Sequence, residues 1–231
     1  FILPLQELLL KITEETSLVF LCNPGNPTGT VTGKAELVRL AERCEETKTF
    51  LCVDECFLPF LPGEPALSMK GETVRFPHLT VLRAFTKVYG MPGLRLGYLM
   101  TGNRELAGRL KEKLPPWNVS LPAQLAGAAA LKAEGYLEKT RELIRGEKEK
   151  LVSLLLETVA DRVYPGSANF LLFHGREGLK EALLDRKILI RDCSNFKGLS
   201  RGYYRICIRT QEENERLKEI LYSLAGKEAG K

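Results

Sequence analysis

Residues 83–98 read RAFTKVYGMPGLRLGY. Apolar runs at residues 79–82 and 94–100 flank the middle of this segment and read as strands, so Lys87 falls in a Gly/Pro-rich turn just beyond the first of them. A hydroxyl, Thr86, precedes the lysine, and Arg95 follows eight residues later. An anion such as a phosphate fits between groups of this kind. Taken alone, a lysine in such a turn is more often a solvated surface residue than a site.

Toward the N-terminus the same texture repeats. Residues 17–22 form a short apolar strand, and Leu37, Val38, Leu40, Ala41 and Cys44 then mark one face of a helix. A second strand covers residues 49–53 and ends at Asp54 and Glu55. Strands this apolar suit a mostly parallel sheet covered on both faces. In such sheets the ligand lies beyond the carboxyl ends of the strands, where Asn26, Asp54, Thr86 and Lys87 all fall.

Two of the turns carry further chemistry. CNPGNPTG, residues 22–29, is a polar turn whose Asn26 presents a side-chain amide suited to a ring hydroxyl; its plainer reading is a turn and nothing more. VDECF, residues 53–57, sets the Asp54 carboxylate at a buried strand end, which is costly unless a cation pairs with it. A protonated pyridine nitrogen is such a cation, and an N-cap or a structural ion pair is the alternative.

After Pro115 and Pro116 the pattern changes to long helices. An alanine-rich helix is expected over residues 122–131, followed by a charged one with Ile144, Leu151, Leu154 and Leu155 on one face. Strands are expected over 169–173, 188–191 and 203–208, with a helix over 177–185. A closing helix carries Leu217, Ile220, Leu221 and Leu224, and the tail from Gly226 is expected to fray. The predicted organisation is a partial large domain over 1–116, connecting helices over 117–158 and a small α+β domain over 159–231.

Composition narrows the function classes. The 231 residues carry a net charge of +5, with 34 basic and 29 acidic side chains interleaved along the chain rather than gathered into a nucleic-acid footprint. No apolar run is long enough to span a membrane, and no signal peptide is evident, so a soluble, cytoplasmic chain is expected. Cys22, Cys44, Cys52, Cys56, Cys193 and Cys207 lie among apolar neighbours without metal spacing and read as buried thiols; no metal site is expected. His78 and His174 receive no role.

The three motifs, CNPGNPTG, VDECF and the lysine segment, closely resemble in order and spacing the class I/II aminotransferases of pyridoxal-phosphate (PLP) fold type I. The resemblance runs from about Leu18 to the closing helix. It implies that Lys87 carries the cofactor covalently and later moves a proton, and that Asp54 keeps the pyridine nitrogen protonated. It further implies Asn26 on the ring hydroxyl, Thr86 and Arg95 on the cofactor phosphate, and Arg205 of YYRICIRT, residues 203–210, on the substrate carboxylate.

Within the family, LIRDCSNFKGLSRGYYRICIRT, residues 189–210, resembles the threonine-phosphate decarboxylases of cobalamin biosynthesis and their sister group, the histidinol-phosphate aminotransferases. Arg191 joins Arg205 there, and two arginines suit a substrate with two anionic ends. The implied function is phosphothreonine decarboxylation first, then transamination of histidinol phosphate or another amino acid. A non-catalytic binding or structural module is the alternative of another class. The implied partner is a small-molecule substrate, an amino acid or its phosphorylated derivative, and the implied assembly of the full-length protein is a homodimer.

Three departures from the family pattern stand out. Phe57 occupies the place where many relatives carry a tyrosine that shares the ring hydroxyl, and Arg209 stands where glycine is frequent. The family's N-terminal part, with a phosphate-binding loop and a residue stacked on the ring, has no counterpart here. This chain is therefore expected to be inactive by itself.

Overall fold

A computed structural model describes residues 1–164 and 166–226. The tail from residue 227 onward, for which fraying is expected, lies outside them. The chain divides into two compact units, one of residues 1–25 and 31–137, the other of residues 26–30 and 138–231.

The first unit opens with α1 (Leu5–Lys11), β1 (Leu18–Cys22), α2 (Lys34–Glu46) and β2 (Phe50–Asp54). It continues through α3 (Glu64–Leu67), β3 (Leu79–Ala84), α4 (Phe85–Val88), β4 (Gly97–Thr101), α5 (Arg104–Lys113) and α6 (Leu121–Leu131). The sheet order is β1-β2-β3-β4, with β1, β2 and β3 parallel and β4 antiparallel to β3. Alternation along the strands sends Val19, Leu21, Leu51, Val53, Leu79, Val81 and Met100 to one face. There they join a core with Leu5 and Ile12 of the α1 segment and Leu37, Leu40, Ala41 and Cys44 of α2.

Cover on both faces fails at the edge strand β1, whereas Cys52 of β2 and Thr80 of β3 are buried on the sheet's second face. Leu18 and Phe20 on the other face of β1 are 57% and 56% exposed. Their apolar character matches the expected two-sided burial, but no described element packs over them closely enough to provide it.

Four helices of this unit go beyond those expected from the sequence: the one-turn α3 and α4, and the longer α1 and α5. The α1 segment carries Leu5, Leu8, Leu9 and Ile12 at helical spacing, a legible signal. By contrast α5 carries a short apolar row, Leu106 and Leu110, that the described fold leaves unburied; a second cue is Asn103, whose side chain accepts the Leu106 N–H at 2.9 Å. The strand expected from residue 94 starts at Gly97, because Pro92–Leu94 form a 3-10 turn and Arg95 is left-handed.

The second unit contains α7 (Tyr136–Thr158), β5 (Ala160–Tyr164), β6 (Phe170–Gly175), α8 (Leu179–Leu184), β7 (Arg191–Asp192), β8 (Tyr203–Cys207) and α9 (Gln211–Ala225). Its sheet is antiparallel throughout, in the order β5-β6-β8-β7. Of the helices expected to connect the domains, α6 therefore lies in the first unit and nearly all of α7 in the second. β7 is shorter than the expected 188–191 strand. Lys187 turns left-handed and the Ile188 N–H returns to Leu183 O, so residues 188–190 are used in leaving α8. The strand β5 went unread because Asp161 and Arg162 interrupt its apolar character.

Arg209, the cation in place of glycine, has a local partner: its guanidinium donates to Glu213 on the first turn of α9. Glu213 also accepts from the Thr210 hydroxyl, which caps the helix. The Arg209 and Thr210 hydrogen bonds hold the Glu213 carboxyl down at about 2, from 4.5. A depressed carboxyl contributes stability above its unfolded range and loses it as the pH falls through the folded value. Glu213→Gln is thus expected to melt earlier than the parent at neutral pH and to converge with it toward about pH 2. A constant difference across that range would disprove the linkage.

In this structure, no described helix is long and apolar enough to cross a membrane.

Candidate functional site

In the first unit the expected residues gather at one rim. The Asp54 carboxylate ends β2 opposite Leu82 of β3, and Ala84 at the end of β3 pairs with Gly97 at the start of β4. Thr86 and Lys87 follow β3 in α4, while Arg95 stands two residues before β4. Lys87 is exposed, and its Nζ lies 6.0 Å from the centre of the Phe57 ring, which ties the segment after β2 to α4. Phe57 thus stands beside the lysine while lacking a hydroxyl.

Asp54 is half-buried at the strand end. Its Oδ1 accepts the Cys56 N–H at 2.9 Å, and its Oδ2 faces the Cys22 thiol at 3.9 Å. Among the described residues no lysine or arginine forms an ion pair with it, so a structural ion pair does not describe this carboxylate, and the capping position of the 3-10 turn that follows is Phe57 rather than Asp54. The carboxylate acts back on its neighbours. Burial first, then the hydrogen bond to Asp54, pushes the Cys56 thiol up to about 12, and burial followed by Asp54 raises Cys22. Both thiols therefore remain protonated at neutral pH.

Arg95 sits at φ 55° and ψ 46°, in the left-handed region, and its Nη1 donates to Pro92 O at 3.0 Å. Behind it, Leu96 packs on α6 so tightly that a Cβ on Gly127 would lie 2.5 Å from the leucine Cδ2. Glycine at 127 is what allows the helix to approach.

The second unit holds the remaining expected residues. The turn of residues 26–30 belongs to it, and there the Arg205 guanidinium donates to Asn26 Oδ1. That turn rests on the segment after β5: the Ser167 N–H donates to Gly29 O at 2.7 Å, and a Cβ on Gly29 would meet Gly166 Cα at 3.0 Å. Sequence reading missed Lys148 of α7, which donates to Gly166 O and, at 3.2 Å, to Ala168 O. Burial lowers its pKa. A lysine on a charged helix gives no sign of such a task.

Arg191 and Arg205 are direct cross-strand partners on β7 and β8, so both side chains leave the same face. Like charges set opposite each other are unfavourable unless an anion lies between or near them. Arg191 donates to Asn195 Oδ1 at 2.9 Å and lies over the Phe196 ring, with 5.6 Å to its centre. Arg191 forms no ion pair with the adjacent Asp192, which accepts the Ser194 N–H. Arg205 lies over the Phe170 ring at 4.9 Å, and burial lowers its pKa, with Arg191 adding to the effect. Among the described residues no carboxylate forms an ion pair with either arginine.

Residues 2–221 match the family described as Aminotransferase class I and II. The chain belongs to this family. The threonine-phosphate decarboxylase of Salmonella typhimurium is 39% identical over 221 residues, covering 93% of this chain and 59% of that protein. The chain thus spans about three fifths of the length of the curated relatives it matches.

Among solved structures, the histidinol-phosphate aminotransferase from Clostridium acetobutylicum aligns with a TM-score of 0.90 at 31% identity, over 96% of this chain and 68% of that one. The enzyme of that name from Sinorhizobium meliloti, solved with pyridoxal-5'-phosphate, aligns at 0.76 with 26% identity, over 90% and 58%. The fold is that of the PLP-dependent transferases of fold type I, and pyridoxal phosphate is the cofactor that goes with the family. The residues present fit that group. A half-buried carboxylate without a cation stands on the same rim as an exposed lysine and an arginine.

Proposed function

We propose that the intact protein carrying this chain is a PLP-dependent enzyme acting on a phosphorylated amino acid, with phosphothreonine decarboxylation as the first reading. The observation that carries it is the cross-strand pair of Arg191 and Arg205, two guanidinium groups on one face without a carboxylate partner among the described residues. Phosphothreonine brings two anions, a carboxylate and a phosphate, one for each arginine. Histidinol phosphate, the substrate of the second reading, brings one. The similarity to a histidinol-phosphate aminotransferase in structure keeps that reading in place.

When bound, the cofactor supplies an electron sink for charge developing at the substrate Cα. The proposed role of Asp54 is to hold a proton on the ring nitrogen, which a carboxylate lacking another cation does well. Asn26 Oδ1 is engaged by Arg205, which leaves its amide N–H groups to donate to the ring hydroxyl. Thr86 and Arg95 are assigned to the cofactor phosphate. Lys87 carries the cofactor and moves the proton at Cα. Arg205 takes the substrate carboxylate and Arg191 its phosphate, and together they orient the substrate. That orientation selects which bond at Cα lies perpendicular to the ring, and so selects decarboxylation or transamination. A cytoplasmic homodimer is the proposed assembly, in keeping with apolar side chains such as Trp117, Leu121 and Leu125 that stand exposed in the single chain.

The test is turnover by the intact protein of phosphothreonine against histidinol phosphate with 2-oxoglutarate. Arg191→Ala is expected to raise KM for phosphothreonine about tenfold or more, the worth of one charge-assisted hydrogen bond, and to change KM for threonine little. Equal losses on both substrates would make Arg191 structural. No turnover of either substrate, together with no uptake of PLP, would favour a binding or structural module.

A further inference from the structure

Where β2 and β3 part, a buried side-chain clamp takes over from the ladder. Their parallel register ends with Asp54 opposite Leu82, and the Glu55 N–H to Leu82 O bond, 2.9 Å, continues the ladder one step further. Beyond that point β3 keeps its pairing with β4, which runs along its other edge from Thr80 to Ala84, and has left β2. The two segments leaving the fork carry the site: Asp54 on one side, Thr86 and Lys87 on the other.

Arg83 spans this gap. Its Nε and Nη2 donate to Glu55 Oε2 at 3.0 and 2.6 Å. The same oxygen accepts the Ser68 hydroxyl at 2.8 Å, and Glu55 Oε1 accepts the Met69 N–H at 2.6 Å. Arg83 Nη2 also reaches Glu64 Oε1 at 2.6 Å and Ser68 Oγ at 2.9 Å. The side chains are 8% and 0% exposed. Arg83 follows Leu79 and Val81 on the helix-covered face, opposite the face that Asp54 shares with Cys52.

A buried ion pair is a poor means of gaining stability, because the loss of water from both charges offsets most of the attraction. It does fix a separation, since a guanidinium fork and a fully bonded carboxylate accept few arrangements. We propose that the Arg83–Glu55 pair is a positioning device, which sets the distance between the Asp54 carboxylate and the Thr86–Lys87 turn from beneath the sheet. Neither residue touches cofactor or substrate. The inference rests on the assignment of Asp54 and Lys87 to the cofactor.

The experiment uses the intact, PLP-loaded protein and compares Arg83→Lys and Glu55→Asp with Leu40→Ala, a core change in the same unit. Arg83→Lys keeps the charge without the fork, and Glu55→Asp shortens the reach by one methylene. Both are expected to shift the pH midpoint of the bound cofactor's visible absorbance and to weaken PLP binding about tenfold. They are also expected to lower kcat about a hundredfold with a much smaller change in KM, as displacement of reacting groups does. Leu40→Ala should lose thermal stability and move none of these readouts.

An unshifted midpoint and unchanged PLP binding in whichever of the two variants folds would overturn the proposal and leave the pair a purely structural element. If neither folds while Leu40→Ala does, the pair is likewise structural and the proposal fails. Should borohydride fix the cofactor of the parent protein on a lysine other than Lys87, the site assignment itself fails, and the inference falls with it.

Discussion

Replacing Lys87 with alanine is expected to lower turnover of the intact protein by about three orders of magnitude or more, the scale on which a positioned proton carrier acts. The expectation rests on geometry as well as motif. Lys87 stands in α4, directly after β3, on the rim where Asp54 ends β2 and Arg95 precedes β4. Its Nζ is exposed and meets the Phe57 ring rather than a carboxylate, so the substitution removes no described ion pair and leaves the fold intact. The parent, treated with borohydride and digested, should carry the pyridoxyl group on the Lys87 peptide, and the variant should carry none. A pyridoxyl group on another lysine, or a variant with near-parent turnover, would remove the basis of the whole assignment.

Asp54→Ala should separate chemistry from retention. The carboxylate is proposed to hold the ring nitrogen protonated, whereas the phosphate and the covalent link are assigned to Thr86, Arg95 and Lys87. Turnover is therefore expected to fall about a hundredfold or more, as it does when a preorganised electrostatic group is removed, while PLP binding weakens far less. The Cys22 and Cys56 thiols give a second readout. Asp54 contributes to the raised pKa of both, so each should deprotonate more readily in the variant and react faster with an alkylating reagent. Full activity in Asp54→Ala would refute the role, whatever the thiols do.

The parts of this fold that sequence made legible are those with a strong period or a distinctive turn. Leu37, Leu40, Ala41 and Cys44 announced α2, and the apolar runs ending at Cys22, Val53 and Leu82 announced the parallel strands. Asp54, Thr86, Lys87 and Arg95 stood out because they lie at or near strand ends in segments of unusual composition. What stayed hidden depended on contacts distant in sequence. Arg83 and Glu55 are 28 residues apart and read as ordinary charges until the fold buries them together. Lys148 reads as one more lysine of a charged helix until residues 166–168 fold over its ammonium. Cross-strand placement of Arg191 beside Arg205 required the register of β7 on β8, which a two-residue strand cannot reveal in advance.

Arg95 shows where folding and function pull apart. A left-handed backbone suits glycine, and a side chain held there costs roughly 1 kcal/mol. Residue 95 is thus a position at which the most comfortable amino acid for the chain is not the one present. A search for stabilising substitutions would select glycine here and discard the guanidinium proposed to hold the cofactor phosphate. Thermal robustness and the proposed anion binding compete at this single residue, and the sequence carries the arginine.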